Sequence, residues 1–361
     1  MAQIVWHLLS NRWNSAITEY ALSLSLALQQ HSSYQEVFTP LAGSPAESRA
    51  QILKLKTSSL SGFSLANICH FRALARRIKP TLIIAYGGPE ASLCRFLPGS
   101  QPYRIIRFRG IPLSQRFKQL PFLFTLGHAH LQALIAPNRG ITAQLQALSH
   151  SLPVSCLPLG MSSDIFKYYD AHPRRPELLL VGRFDPVKGH GEFLKLFAES
   201  LRTWRFFVRP VLHLVGEPAN ISSEEIRRLI AENGLTIGGE VLLSDFRLRN
   251  LPQLMSTATL GVISSLGSEY ICRVAEEFLL CGTPLFLSGA GATKEVLFAN
   301  AGSCYAGKSC AEATKLLEQD FIKAWQETTE ERREREQSAQ KLYSLAAMAK
   351  SFLEALSPSS S

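Results

Sequence analysis

The sequence contains no apolar segment of the roughly 18 residues that a membrane-spanning helix needs. Its first residues, MAQIVWHLLSNRW, lack a basic stretch before the short apolar run, so we expect a buried first strand and no secretory leader. The seven cysteines form no Cys-x-x-Cys pair and lie mostly in apolar segments, which argues against zinc and for reduced core residues. These absences favour a protein of the cytosol, either free or bound peripherally to a membrane.

Motifs of metal, cofactor and nucleic-acid chemistry are missing as well. No Asp-x-Asp sequence is present to hold Mg²⁺ or Mn²⁺, and His128 and His130 have no carboxylate beside them, so we expect no metal site. The segment SGAGATKE (288–295) follows a predicted strand but lacks the third glycine of a dinucleotide fingerprint, which argues against NAD. Because the basic residues occur without a nucleic-acid-binding motif, we expect no nucleic-acid partner.

Negative charge is scarce in the first half of the chain. Residues 1–170 contain 16 Lys and Arg against six Asp and Glu, whereas the remaining residues contain 22 against 23. The net charge of +9 therefore comes from the first half. Such an asymmetry predicts an acidic partner for that half, such as an anionic lipid or a phosphorylated glycan. The alternative is a soluble surface that is basic without a binding role.

Short apolar segments alternate with helical patterns along the whole chain, and this predicts parallel sheets covered on both faces by helices. Strands are predicted at 4–9, 36–42, 81–88, 104–110, 133–138, 153–160, 177–184, 211–217, 240–246, 260–265 and 284–290, with helices at 16–30 and 65–79 among others. The Pro-rich segment 171–177 separates the two sets. We therefore expect two doubly wound α/β domains, 1–170 and 171–330, and a C-terminal helix over 331–361 that can cross back to the first domain.

The segment VGRFDPVKGH (181–190) directly follows a predicted strand, so Arg183 and Lys188 are expected at the carboxyl edge of the sheet. Ligands of doubly wound sheets bind at this edge. Two cations there, with Gly189 permitting close backbone approach, suit a phosphate or diphosphate. The alternative is a solvated loop with two ordinary surface cations.

The segment GSEYICRVAEEFLLCGTP (267–284) places Glu269 and Glu277 eight positions apart. We expect a helix that begins near Glu269 or Tyr270, whose first amide groups would bind an anion. Ionised carboxylates accept hydrogen bonds from hydroxyl groups, so Glu269 and Glu277 could contact two sugars on either side of a diphosphate. The alternatives are a glutamate stabilised by the helix dipole and an acidic residue on the polar side of the helix, next to Glu276.

Together these segments resemble the carboxyl-terminal domain of retaining family 4 glycosyltransferases with the GT-B fold. The resemblance covers residues 177–300: a Gly-Arg…Lys-Gly loop, a Glu-x7-Glu pair, a small-Gly-x-Pro strand entry, and a Gly-x-x-x-Glu turn completed by Gly291 and Glu295. In the first half, PLGMSSDIF (158–166) resembles the family's linker motif, and IAPNRGITAQL (135–145) resembles the strand and helix before it. The resemblance implies two Rossmann-like domains that face each other across a cleft.

The resemblance also implies a role for each matching residue in binding a nucleotide-diphosphate sugar. Arg183 and Lys188 would neutralise the diphosphate, Glu269 would bind the donor sugar and Glu277 the ribose. Backbone amides at 270–272 would bind the distal phosphate, and the loop at 244–250 would contact the nucleobase. The donor-binding positions besides these charged residues are Gly182, Gly189, Phe246, Arg247, Tyr270, Ile271 and Cys272.

The sequence departs from the family pattern at several positions. It has Glu-Tyr-Ile-Cys at 269–272 where the family commonly has Glu-Gly-Phe-Gly. The N-terminal Gly-Gly loop of the family corresponds to Asn14 and Ser15, and the family's histidine near the sugar is not identifiable. Tyr86, Arg107 and Arg109 are the candidates for the acceptor side of the N-terminal domain in its place.

We therefore predict a glycosyltransferase that moves a sugar from a nucleotide donor to a cell-envelope glycan or lipid-linked acceptor, with retention of configuration and without a metal or another cofactor. The leaving diphosphate would help to deprotonate the acceptor. The basic first half would bind the acceptor and an anionic surface at the inner face of the cytoplasmic membrane. Two alternatives are a GT-B nucleotide-sugar epimerase, which the lack of an obvious acid–base set disfavours, and a degenerate protein that binds a nucleotide or glycan without catalysis.

Overall fold

The computed structural model describes residues 3–13, 15–29, 31, 33–99, 103–114, 127–149, 152–170, 173–267 and 269–356. By its internal contacts the chain divides into two units, of which the first is Met1–Gly160 with Ser344–Ser361 and the second is Met161–Tyr343. The sequence analysis predicted the domain boundaries after residues 170 and 330. In the described part of the chain, no helix has the length and apolar character required to cross a membrane.

The first unit contains one parallel sheet in the order β2-β1-β3-β4-β5-β6. Its strands are β1 (Gln3–Leu9), β2 (Tyr34–Pro40), β3 (Leu82–Ala85), β4 (Arg104–Phe108), β5 (Ala133–Ala136) and β6 (Val154–Cys156). Its helices, in chain order, are α1 (Ala16–Gln29), α2 (Pro45–Ile52), α3 (Ile68–Ile78), α4 (Gly88–Leu93) and α5 (Arg139–Leu148). The inner strands are largely apolar because helices cover both faces of the sheet, with His7 on β1 and Arg107 on β4 as exceptions.

The second unit repeats this arrangement with the order β12-β11-β10-β7-β8-β9. Its strands are β7 (Arg175–Val181), β8 (Val211–Val215), β9 (Val241–Ser244), β10 (Ala258–Ile263), β11 (Leu285–Leu287) and β12 (Gly302–Cys304). Its helices are α6 (His190–Thr203), α7 (Ser223–Glu232), α8 (Leu251–Thr257), α9 (Arg273–Leu280), α10 (Cys310–Gln326) and α11 (Thr329–Tyr343). Aromatic side chains such as Phe193, Phe286 and Phe321 fill its core.

The last helix, α12 (Leu345–Leu356), belongs to the first unit. Arg104 on β4 donates a hydrogen bond of 2.7 Å to the carbonyl oxygen of Leu356. The position of Gly160 is so close to Met348 that an added Cβ would lie 2.7 Å from the Met348 Cβ. A glycine is therefore required where the chain passes under this helix.

The prediction of two parallel, doubly wound α/β sheets is confirmed, and each predicted strand is present. Strand β12 was missed because its residues, Gly-Ser-Cys, form no apolar or β-branched run. Ser222 caps the start of α7, since its side chain accepts a hydrogen bond of 3.1 Å from the Glu225 amide. Gly234, just after the end of this helix, has the left-handed conformation (φ +71°) that favours glycine there.

In each sheet the strand order reverses at one place, and ligands of doubly wound sheets bind beside that place. In the first sheet the reversal lies between β1 and β3, and in the second between β7 and β10. The loops at the carboxyl ends of these four strands are therefore the places to look for functional residues.

Candidate functional site

The loop after β7 folds into a short 3₁₀ turn over Pro186–Lys188. Asp185 caps this turn, because its Oδ1 accepts a hydrogen bond of 3.1 Å from the Val187 amide. Its other carboxylate oxygen accepts a hydrogen bond of 2.7 Å from the side-chain amide of Asn220. The turn thus has a fixed shape, which determines the direction of the side chain of Lys188, its last residue.

Gly189 fixes the same turn against the end of β10. It has φ +68°, and an added Cβ would lie 2.1 Å from the carbonyl oxygen of Ser264. The Ser264 hydroxyl donates a hydrogen bond of 2.7 Å to the carbonyl oxygen of Lys188. The Leu266 amide donates to the carbonyl oxygen of Val187 at 2.8 Å. Only glycine fits this close contact, and the contact joins the two strand ends at which the sheet order reverses.

The structure brings Lys188 and Glu269 together at this edge. The ammonium group of Lys188 donates a hydrogen bond to Oε1 of Glu269, and the Ser265 hydroxyl donates to the same oxygen at 2.6 Å. The side chains are 27% and 11% exposed, so both groups reach solvent from a largely enclosed position. A small cavity beside them is lined by Lys188, Ser265, Glu269 and Cys272 among others. The arrangement offers a cation and a hydrogen-bond acceptor to a polar ligand.

The backbone at Glu269 is held by the turn that the sequence had singled out at Gly291. The amide of Ala292 donates a hydrogen bond of 2.7 Å to the Glu269 carbonyl oxygen. Gly291 has φ +60°, and an added Cβ would lie 2.4 Å from that oxygen. The glycine of the Gly-x-x-x-Glu segment thus serves to position Glu269.

The helix expected to begin near Glu269 or Tyr270 begins at Arg273 instead, so that expectation was wrong. The Glu269 carbonyl oxygen is bound by Ala292 and by the Cys272 thiol (3.5 Å), and Cys272 has non-helical backbone angles. Glu269 and Glu277 therefore do not share a helix. Tyr270, Ile271 and Cys272 lie in the turn before α9, where Ile271 and Cys272 are buried and Tyr270 is half-buried.

Glu277 lies inside the protein, 2% exposed, and not on a polar side of the helix. Its Oε1 accepts a hydrogen bond of 2.7 Å from Nε of Arg273, one turn earlier on α9. Burial raises the pKa of Glu277, while Arg273 and then Arg247 lower it. Arg247, in the exposed loop after β9, is thus close enough to interact with Glu277, and its neighbour Phe246 is 57% exposed. Arg273 was missed, although its spacing of four from Glu277 was a usable signal.

Glu276 is also buried, at 4% exposed. Burial, followed by the charges of Glu277 and Glu269, raises the pKa of Glu276 to about 8. Burial and the neighbouring carboxylates raise the pKa of the Cys272 thiol as well. The alternative, that Glu277 is an acidic residue on the polar side of the helix next to Glu276, was therefore wrong. The helix carries two buried carboxyl groups whose pKa values burial raises, and the charge of Glu277 raises the pKa of Glu276 further.

Arg183 and His190 lie on either side of the 3₁₀ turn. The Arg183 side chain is 67% exposed, and its nearest acidic partner is Asp185, at 4.0 Å. It therefore has the freedom to turn toward a ligand. His190 is buried against Phe184, and burial and then the charge of Lys188 lower the pKa of His190 to about 4. Gly182 lies beside the Lys188 side chain, since an added Cβ would be 3.7 Å from its Cδ.

The first unit contains the remaining predicted site residues. Asn14 lies outside the described residues. The Ser15 hydroxyl bonds with Asn11 just before α1. Tyr86 is 3% exposed, and its hydroxyl is 2.8 Å from Nδ1 of His7, whose Nε2 pairs with a buried Glu36. Tyr86 is therefore part of a hydrogen-bonded chain inside the sheet.

Arg107 and Arg109 lie at the carboxyl end of β4. Nη1 of Arg107 is 2.9 Å from Nε2 of His128. Burial lowers the pKa of Arg107, and burial followed by the charge of Arg107 lowers the pKa of Arg109 to about 10. Glu90, which sequence analysis missed, is 1% exposed and close enough to interact with Arg107. No group of three or more metal-ligating side chains occurs within the described ranges.

Comparison with known proteins finds one matching sequence family and several similar solved structures. The family described as glycosyl transferases group 1 matches residues 162–341. No sequence among the curated proteins matches the chain significantly. Among solved structures, Alr3699/HepE of Anabaena in complex with UDP has a TM-score of 0.77 at 16% identity, covering 98% of this chain and 99% of the other.

Two further structures are similar over almost the whole chain. Sucrose-phosphate synthase from Thermosynechococcus elongatus has a TM-score of 0.71 at 17% identity, covering 98% of both chains. The lipopolysaccharide outer core galactosyltransferase WaaB, in its apo form, has a TM-score of 0.70 at 13% identity, covering 98% of this chain and 99% of the other. Likeness at such low identity demonstrates a common fold.

Proposed function

Because the chain is a glycosyltransferase with the GT-B fold, and residues 162–341 match the group 1 glycosyl transferases, we propose that its second unit binds a nucleotide-diphosphate sugar and that Lys188 and Glu269 contact this donor. The observation that carries the proposal is the pairing of these two side chains where the strand order reverses. UDP-glucose is the first donor to test, since the structurally similar HepE has been crystallised with it.

The proposed roles follow from the charges. Lys188, with Arg183, neutralises the diphosphate as it leaves, and such electrostatic stabilisation is the main contribution that a protein can make to this step. Glu269 accepts hydrogen bonds from donor-sugar hydroxyls, and the Ser265 hydroxyl keeps its carboxylate oriented. When a diphosphate binds, Lys188 exchanges a carboxylate partner for phosphate oxygens. The ammonium group therefore stays paired throughout.

For the other end of the donor, we propose that Glu277 contacts the ribose and that Phe246 and Arg247 contact the base. Glu277 accepts a hydrogen bond from Arg273 through Oε1, and its second oxygen is proposed to accept one from a ribose hydroxyl. The backbone amides at 270–272 are proposed for the distal phosphate, although they precede the helix and do not form its first turn.

We propose further that transfer proceeds with retention and without a metal. The support is the cationic pair at the diphosphate position and the resemblance to family 4. A nucleophilic carboxylate is not required, because a leaving diphosphate can accept the acceptor's proton on the same face of the sugar. The acceptor is proposed to be a glycan or lipid-linked glycan bound by the first unit.

Two measurements test this function. A thermal-shift screen against UDP, GDP, ADP and their sugar conjugates identifies the nucleotide, and sugar transfer is then followed with and without EDTA. The proposal expects stabilisation by one nucleotide and EDTA-resistant transfer, with the product anomer matching the donor by NMR. Turnover without any acceptor would instead favour an epimerase. A failure of all nucleotides to stabilise the protein would favour a degenerate binding protein.

Membrane association is proposed from the charge asymmetry of the first half. Co-sedimentation of the full chain with anionic liposomes should decrease when the salt concentration rises from 50 to 500 mM, because screening shortens the range of charge attraction to a few ångströms. Binding that does not respond to salt would contradict an electrostatic surface contact.

A further inference from the structure

The first sheet carries an unbalanced cluster of charges at its own carboxyl edge. Arg107 and Arg109 are two residues apart, and the Arg109 amide still pairs with the Ile135 carbonyl oxygen (2.8 Å) of the neighbouring strand. Residues two apart on a strand project from the same face. The two guanidinium groups therefore lie on one side of β4, which neighbours β3, one of the two strands between which the strand order reverses.

Both arginines are withdrawn from solvent. Arg109 is 8% exposed and Arg107 is half-buried, with its Nη2 against the backbone of Gly88, where an added Cβ would lie 3.6 Å away. Nε of Arg107 is buried and has no hydrogen-bond partner among the residues that the structure describes. A buried donor in this state costs free energy unless a ligand or water accepts its hydrogen.

The cluster formed by Arg107, Arg109 and their neighbours Glu90 and His128 contains more positive than negative charge. Glu90 is the acidic group that interacts with Arg107, and its Oε1 already accepts a hydrogen bond of 2.5 Å from the amide of Ser10, at the end of β1. His128, the other polar neighbour of Arg107, does not supply negative charge in either protonation state. Among the described residues, Glu90 is thus the carboxyl group that interacts with Arg107, and both guanidinium groups are poorly solvated. A bound anion would stabilise such a cluster.

We propose that Arg107 and Arg109 form an anion-binding site and that the acceptor of this enzyme carries a phosphate or carboxylate group there. The inference rests on the proposed glycosyl transfer and goes further by naming the chemical class of the acceptor. Arginine suits this role, since its planar fork binds both oxygens of a phosphate or carboxylate. Arg107 and Arg109 select the acceptor, and Glu90 positions Arg107.

The test measures anion binding to the full chain by isothermal titration with inorganic phosphate, glucuronate and glucose, with saturating UDP present so that the donor site is filled. Phosphate or glucuronate should bind and uncharged glucose should bind at least tenfold more weakly. Arg107→Gln and Arg109→Gln should each weaken anion binding about tenfold or more. Arg72→Gln makes the same charge change on the exposed side of α3 and should leave it unchanged.

UDP binding, measured on the same variants, separates this inference from the proposed function. The arginine variants should bind UDP like the native chain, which also shows that they are folded; if the buried Arg109 variant does not fold, the half-buried Arg107 variant still decides. If the native chain binds the anions but does not bind UDP, the donor proposal is overturned and the anion site is not. Anion binding that is absent under these conditions, or that persists in both variants, would overturn the acceptor inference.

Discussion

Lys188 and Glu269 are 81 positions apart in the chain and form one ion pair at the carboxyl edge of the second sheet. Each is positioned by a glycine that contacts a backbone carbonyl oxygen, Gly189 against Ser264 and Gly291 against Glu269. The pair is therefore fixed by backbone geometry on both sides. Functional groups held in this way need little reorganisation when a ligand binds, which is what electrostatic catalysis requires.

The first prediction concerns Glu269 and the donor sugar. Glu269→Gln keeps the size of the side chain but removes the charge that accepts hydrogen bonds from hydroxyls. Transfer should fall at least about 100-fold, the effect of losing about 3 kcal/mol from a charged hydrogen-bond network, while the affinity for the free nucleotide changes little. Steady-state transfer and nucleotide titration measure the two effects. Unchanged transfer would remove Glu269 from the site.

The second prediction compares two glycines with the same backbone conformation. Gly189 and Gly234 both have φ near +70°, but an added Cβ meets the Ser264 oxygen at Gly189 and nothing within 4 Å at Gly234. Gly234→Ala should cost about 1 kcal/mol of stability from backbone strain alone. Gly189→Ala should cost about 2 kcal/mol or more and also weaken nucleotide binding, because it displaces Lys188.

Denaturant unfolding and nucleotide titration of both variants measure this difference. If Gly189→Ala were no worse than Gly234→Ala, the contact with β10 would not be what positions the lysine.

The third prediction is a pH dependence that originates at Glu276. Its pKa is about 8 in the folded protein, against an ordinary value of 4.5. Between these values the unfolded chain loses the proton and the folded chain keeps it, so this group lowers stability as the pH rises from 4.5 to 8. Glu276→Gln removes the effect. The stability advantage of the variant over the native chain should grow by about 3 to 4 kcal/mol between pH 5 and pH 8, at roughly 1.4 kcal/mol per pH unit.

The measurement is the free energy of unfolding of both proteins at pH 5 and pH 8. Taking the difference between the two pH values cancels any constant effect of the new amide. Glu224→Gln, at an exposed position of α7, is the matched control and should give the same difference as the native chain. A pH-independent gap between Glu276→Gln and the native chain would contradict a raised pKa.

The sequence was sufficient to predict the sheets and to place Lys188 and Glu269 at one edge of the second sheet. Strands such as β1 and β10 are mostly apolar because they are buried on both faces, and that pattern is local. Parallel strands place all their carboxyl ends at one edge, so the loops with Lys188 and Glu269 had to be near each other. That the two side chains pair could not be predicted, because their positions depend on the contacts of Gly189 with Ser264 and of Gly291 with Glu269.

Features that depend on distant contacts could not be predicted. The start of α9 is set by Ala292, which binds the Glu269 carbonyl oxygen and so keeps the turn out of the helix. Arg332 lies in the segment predicted as a C-terminal helix, and it is 2% exposed and donates to the carbonyl oxygens of Gly282 and Ser256. Nothing in the neighbouring residues distinguishes it from Arg333, whose side chain is 44% exposed.

The most direct test of the account is calorimetric titration of the full chain with UDP, comparing the native protein with Lys188→Ala. Lys315→Ala, at an exposed position of α10, serves as the control. Because the ammonium group is proposed to pair with the diphosphate, Lys188→Ala should weaken binding by about 10- to 100-fold, and Lys315→Ala should bind like the native protein. Equal affinity of the native chain and Lys188→Ala for UDP would contradict the assignment of this edge as the donor site.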